Sequence, residues 1–451
     1  MGTAPLAELH THLLGCIEPD DLLDYIAFRE FTWDQYEERM QRAYGVSPPL
    51  RETLDRHRNG DPGAAAEFAE IFVFGDDDAG SFERFNAKFN LLTHGTHLSA
   101  VARGDADALP LLVDEVLGYL TRVQANQAGQ GIGYSEQRFM IGGSVGGEAA
   151  RALLDPVLHA MTAPDAPLTN RLAISLPRWD PWPSWELAQQ LALGPNGQAV
   201  TAVDFCVVEE GYPPKDKREF FAAVADFNDR HPDRSLAILY HVGESYTDKS
   251  IESAIRWVQE AAELGAHRLG HAIALGVDPR VHGEHTRTES VEERRDQIEY
   301  DLEHSDALAR HSVPIDRAAL ADELVRLASR EPGGLVTYSY DTDRLDEIRG
   351  RQDFAMERVR AAGAVVEVCP TSNRRIGGIS DPSHHPVHRF LERGLPFVVS
   401  SDDPGILGVT LDDELDWVAA TAGLDFDARR DLAASSWRYR SEVLSGREPR
   451  A

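Results

Sequence analysis

Eight short apolar runs rich in β-branched residues recur along the chain, each bounded by turn residues and followed by a stretch with helical periodicity. That alternation restricts the fold more than any other feature. The runs lie at 6–12, 133–139, 172–177, 200–207, 236–241, 267–271, 364–369 and 396–401. Between them sit amphipathic segments such as Leu111–Val123, Lys217–Asn228, Ile251–Leu264 and Met356–Ala362. Strand and helix alternating in this way imply parallel β-α units. Eight such units predict an α/β fold, a closed (β/α)8 TIM barrel with helical insertions, formed by residues 1–451 as one domain. An open doubly wound sheet is the competing arrangement, but it places a glycine-rich phosphate turn after its first strand. Here that position carries His10 and His12.

Two stretches exceed what a plain barrel needs. Residues 20–128 read as several helices, broken at Pro48-Pro49 and by the acidic segment Gly75–Gly80, and are expected to cap the barrel mouth. Residues 276–353, between the sixth and seventh strands, are rich in charge, with helical patterns at 291–311 and 317–330. This second insertion reads either as a solvated helical excursion or as a contact surface for a protein partner or a second copy of the chain. Internal repeats and low-complexity tracts are absent from the sequence.

Composition narrows the partners. A formal charge of −30 repels phosphate backbones over most of the surface, which argues against nucleic acid and favours a small substrate. No apolar run approaches the ~20 residues of a membrane-spanning helix. The first residues lack a basic segment followed by an apolar one, and Leu6 stands where a myristoylation signal has Ser or Thr. The three scattered cysteines, Cys16, Cys206 and Cys369, suit reduced thiols. The expectation is a cytoplasmic protein.

The strand ends carry the chemistry. His10 and His12 stand two apart on the first strand, so both project the same way and can share an ion. His241 closes strand five within His241-Val242-Gly243-Glu244, His271 closes strand six, and Asp402-Asp403-Pro404 follows strand eight. In barrel enzymes those ends face one mouth. Three histidines and a carboxylate, His10, His12, His241 and Asp402, make a catalytic zinc set with room for water, one Zn2+ per chain. Such an ion lowers the pKa of its water and supplies hydroxide. Glu244 is placed to carry a proton, His271 to orient or deprotonate the water, and Asp403 to hydrogen-bond the substrate.

These motifs resemble the adenosine deaminase family, which includes adenosine, AMP and adenine deaminases. His10-Thr11-His12-Leu13 is similar to its opening HxHL, Tyr134–Phe139 to YxExRF, and His241–Glu244 to HAGE. Arg268–His271 is similar to RIGH, Cys369–Asn373 to CPTSN, and Ser401–Pro404 to TDDP. The resemblance implies a zinc-dependent hydrolase acting on cyclic amidine C–N bonds. In it hydroxide attacks C6 of a 6-aminopurine, Glu244 delivers a proton to N1, His271 stabilises the hydroxide, Asp403 binds N7, and ammonia leaves.

Two departures touch substrate recognition. The family's acidic residue after HxHL, which holds a ribose 5′-hydroxyl, is replaced by Leu14, followed by Gly15 and Cys16. Its GxDLAGxE after strand four reads Val203–Glu210, without the glycine. The implied substrate is therefore adenosine or an adenosine-like nucleoside or nucleotide. Arg374 and Arg375, after the CPTSN-like turn, are candidates for holding a phosphate, as solvated surface charges are the alternative. A deaminase-type subunit of a larger assembly, such as a bacterial defence complex acting on a phosphorylated or modified nucleotide, also fits. So does a related metal-dependent hydrolase, although strand four offers no lysine to bridge two metals.

Overall fold

A computed structural model describes residues 5–140, 145–331 and 333–449. Eight parallel strands form one sheet: β1 (Leu6–His12), β2 (Ile132–Met140), β3 (Thr169–Leu176), β4 (Val200–Phe205), β5 (Ala237–Val242) and β6 (Arg268–His271), then β9 (Val365–Val368) and β10 (Phe397–Val399). The sheet curls almost shut. His12 N–H donates to the Asp402 carbonyl at 3.0 Å, and Asp402 N–H donates to the His10 carbonyl at 2.9 Å, joining the first strand to the turn after the last. This is the (β/α)8 barrel that the strand spacing predicts, and the eight runs fall on its eight strands.

Strands such as β4, β5, β9 and β10 read as mostly apolar runs because parallel strands are covered on both faces. Between strands and helices lies the main hydrophobic core. Ala173, Ala202, Ala237 and Leu239, on the three neighbouring strands β3, β4 and β5, form a separate small apolar cluster. A third, of Ala7, Leu9, Tyr134, Val365 and Val398, spans the first strands and the last. Small side chains there let the sheet close tightly around a packed interior.

The first insertion is helical, as expected: seven α-helices run from Pro19–Ala27 to Ala108–Gly129. Its helix Phe82–His94 starts where the Ser81 side chain accepts from Arg84 N–H at 3.2 Å, satisfying one of the free donors of the first turn. The second insertion holds helices Val291–Glu303, Ser305–Arg310 and Arg317–Ala328, close to the expected positions. It also holds a two-stranded antiparallel sheet, β7 (His285–Ser290) with β8 (Leu335–Tyr340), closed around those helices, that the charge-rich sequence did not suggest. Helix Thr342–Ala362 runs unbroken from the insertion into the barrel, so the boundary near 353 falls inside one helix. No helix among the described residues is long and apolar enough to cross a membrane.

Candidate active site

The C-terminal ends of β1, β5, β6 and β10 deliver the polar side chains to one place. β1 shifts register against β2 between Glu8 and Thr11, an irregularity that re-aims the end of the strand. His10 and His12 both point at Asp402: each ring Nε2 lies 3.4 Å from Asp402 Oδ1. The His241 ring sits 4.7 Å from that of His10 and 5.4 Å from that of His12, centre to centre. Two triples bring their donor atoms within 4.8 Å of one another, His10 with His12 and Asp402, and His10 with His241 and His271. His271 and Asp402 have left-handed backbones, φ 61° and 62°, which turn the chain sharply as each strand ends. Gly15 makes room beside them, since a Cβ there would lie 1.7 Å from Asp403 Oδ1.

These residues fit a metal ion. The Nε2 atoms of His10 and His241 are buried and make no hydrogen bond, His10 Nε2 facing only Asp402 at 3.4 Å, while the opposite ring nitrogens are both engaged. His10 Nδ1 meets Glu367 Oε2 at 2.8 Å and His241 Nδ1 meets Asp204 Oδ1 at 3.1 Å. Carboxylates behind the rings fix the tautomer that leaves Nε2 free to ligate. Arg138 links them, with Nη2 2.6 Å from Glu367 and Nε 3.4 Å from Asp204. Arg268 lies between Glu367 at 2.7 Å and Glu136 at 2.5 Å. The two buried guanidiniums are thus paired with three buried carboxylates, Glu136, Asp204 and Glu367, while the buried Asp402 faces the histidines, where a cation would sit. Burial opposes a charged His10, yet Glu367 and Asp402 outweigh it and lift the ring to about 9; burial takes His12 down to about 3.

The remaining groups surround the same point. Glu244 is partly exposed, and its Oε1 lies 3.6 Å from His271 Nε2. Its loop is held from below by Glu209, whose carboxylate accepts from the N–H groups of Gly243 at 3.0 Å, Glu244 at 3.2 Å and Ser245 at 3.4 Å. His271 Nδ1 meets the Asn373 side-chain oxygen at 2.9 Å, an acceptor, so Nδ1 carries the proton and Nε2 is left basic. Asp403 is buried with Oδ1 unpartnered, and its carboxyl is pushed well above the ordinary carboxylate range by burial and by the charges of Asp402 and Glu244. It is therefore biased toward the protonated form, a donor.

His12, His241, Glu244, His271, Asp402 and Asp403 line a cavity of about 360 Å3 between the barrel mouth and the first insertion, and His10 does not reach its wall. Arg374 and Arg375 do not line it. Arg375 turns to Asp76 at 2.7 Å and to the carbonyls of Phe74 at 2.9 Å and Leu407 at 2.6 Å, while Arg374 lies 3.5 Å from Asp76 and over the Trp417 ring. These contacts join the cap to the barrel, away from the cavity. Sequence reasoning passed over Glu209, Asp204 and Glu367 as functional residues. A usable signal was there: Asp204 and Glu367 are ionisable residues inside otherwise apolar strand runs, where a charge persists only if paired.

Comparison with known proteins gives these positions a context. The adenosine deaminase family model matches residues 339–441, which include Cys369–Asn373 and Ser401–Pro404. That match bears out the resemblance read from the motifs. An adenine deaminase of Rhodospirillum rubrum is 36% identical over 96 residues, 21% of this chain and 29% of that protein. An aminodeoxyfutalosine deaminase of Acidothermus cellulolyticus is 40% identical over 99 residues, 20% of this chain and 28% of that protein. The chain thus aligns with under a third of the length of these relatives. The barrel as a whole is similar to that of an Arabidopsis N6-mAMP deaminase, with TM-score 0.51 at 16% identity over 99% of this chain and 96% of the other.

Proposed function

We propose that this chain is a zinc-dependent hydrolytic deaminase that converts an adenosine-like 6-aminopurine to the 6-oxopurine with release of ammonia. What carries the reading is that Glu244, His271 and Asp403 share one cavity wall with all but His10 of the clustered set His10, His12, His241 and Asp402. The last four would hold the ion, and a nitrogen-rich set with one carboxylate suits zinc. When bound, zinc acidifies a coordinated water toward neutrality.

The chain's own groups do the rest. His271, held by Asn373 with Nε2 basic, orients the attacking water and takes its proton. Glu244, reachable from the cavity and backed by Glu209, donates a proton to a ring nitrogen of the purine, so that the carbon under attack becomes electron-poor. Asp403, protonated in its buried pocket, donates to a second ring nitrogen and fixes the plane of the base. Ammonia departs after the amino group takes a proton from the same acid-base pair.

The test is ammonia release and product mass from adenosine with the zinc-loaded protein, beside Glu244→Gln. The variant should bind zinc as the parent does and lose turnover by about a hundredfold or more, the range for a removed general acid. Near-parental turnover in Glu244→Gln would remove Glu244 from the mechanism.

A further inference from the structure

Beyond the polar centre the cavity wall is mostly carbon. Phe82, Phe85 and Phe89 stand three and four residues apart on helix Phe82–His94, so one face of the helix presents an aromatic row. Phe82 stacks against Phe85 with ring centres 6.1 Å apart, and Phe85 tilts against Phe89 at 5.8 Å. Phe82 is 50% exposed, an aromatic ring at the cavity that protein covers only in part. Leu14 lines the floor where the family resemblance sets an acidic residue for a sugar hydroxyl. Asn86 and Thr93, on the same helix, are the polar interruptions in this wall.

Charge points the same way. Arg138 is the one cation among the lining residues described, and it is 1% exposed and committed to Glu367 at 2.6 Å and to the Leu9 carbonyl at 3.2 Å. Glu244, Asp402 and Asp403 line the same space, and Arg374 and Arg375 are turned to Asp76. A phosphate at the phenylalanine row would lose its water without gaining a protein cation.

Resting on the deaminase reading above, we propose that the substrate is a 6-aminopurine nucleoside whose sugar carries an uncharged, apolar group in place of the 5′-hydroxyl, and that 5′-phosphorylated nucleotides are excluded. The reacting carbon must lie at the histidine cluster. The part of the molecule farthest from it then meets the phenylalanine row, where each buried methylene gains about fourfold in binding.

Two assays separate this inference from the reading it rests on. The first compares kcat/KM for adenosine, adenosine 5′-monophosphate, and analogues with methylthio or benzylthio in place of the 5′-hydroxyl. The benzylthio compound should exceed adenosine by about tenfold or more, and the monophosphate should fall about a hundredfold below adenosine. Phe82→Ala, at a half-exposed position whose loss spares the core, should shrink the benzylthio advantage. The second assay is calorimetric binding of the same compounds to zinc-loaded Glu244→Gln. Turnover of adenosine with the monophosphate equal or better, or with no apolar preference in either assay, overturns the inference and leaves the deaminase reading. Tight apolar-selective binding with no turnover by the parent overturns the deaminase reading and keeps the inference about the pocket. Absence of both defeats the two together.

Discussion

Replacing Asp204 by Asn tests the arrangement behind the histidines. Asp204 is fully buried, 3.1 Å from His241 Nδ1 and 3.4 Å from Arg138 Nε. Asn keeps the size, and its carbonyl can still accept from His241 Nδ1–H, so the ring stays aimed. What disappears is the charge that makes the ring a better donor to a metal. Loss of such a partner costs ten- to a hundredfold in metal affinity, and with orientation preserved the lower figure applies, about 1.4 kcal/mol. The metal-free fold should suffer modestly, by about 1–3 kcal/mol, because Arg138 keeps Glu367 at 2.6 Å. Glu367→Gln makes the contrast. Its carboxylate serves His10, Arg138 and Arg268 together, so two buried guanidiniums lose a shared counter-charge. The cost there should reach about 3–5 kcal/mol of unfolding free energy, with weaker metal binding besides. Chelator competition gives the affinities, and urea unfolding of the metal-free proteins gives the stabilities. An Asp204→Asn protein that binds zinc as the parent does, or that unfolds more easily than Glu367→Gln, would refute the argument.

Three further outcomes follow from particular contacts. Burial pushes Glu414 up to about 8, against the pull of the Thr371 N–H on both its oxygens. A carboxyl raised in the fold stabilises fully at low pH and loses that contribution as pH climbs from its unfolded value near 4.3 through 8. Urea unfolding should show the parent weakening by up to about 1.4 kcal/mol per pH unit across that window. Glu414→Gln should flatten the profile, and an unchanged slope would count against the assignment. Val207 is β-branched with φ 70°, so Val207→Gly should stabilise by about 1 kcal/mol as relieved strain exceeds the entropy cost of glycine; a lower melting temperature would contradict this. Arg287, on β7, donates to the Tyr246 carbonyl at 2.9 Å and packs over the Tyr246 ring, bracing the loop that carries Glu244. Arg287→Ala should lower kcat severalfold with zinc content intact, and unchanged kinetics would show that the loop needs no such brace.

Much of the barrel and its centre is legible in the sequence because parallel strands bury both faces and end abruptly in polar residues. Val200–Phe205 and Val365–Val368 are apolar enough to read as strands despite Asp204 and Glu367. The two-stranded sheet is not, because β7, His285-Thr286-Arg287-Thr288-Glu289-Ser290, lies largely in the half-exposed range and carries charge where a core strand would carry Val or Ile. Its partner, with Val336, Tyr338 and Tyr340 at alternate positions, did hold the period-two signal. The role of Arg374 and Arg375 is equally hidden. Nothing local in the sequence reveals that Asp76, some three hundred residues earlier, folds back to meet them.

The central claim is hydrolytic exchange of an amino group for a solvent oxygen at this site. The most direct measurement is mass spectrometry of the product formed from adenosine by the zinc-loaded protein in water labelled in its oxygen. The account predicts one labelled oxygen on the purine ring and one ammonia per product. Release of free base from the sugar, or a product without the label, would contradict it.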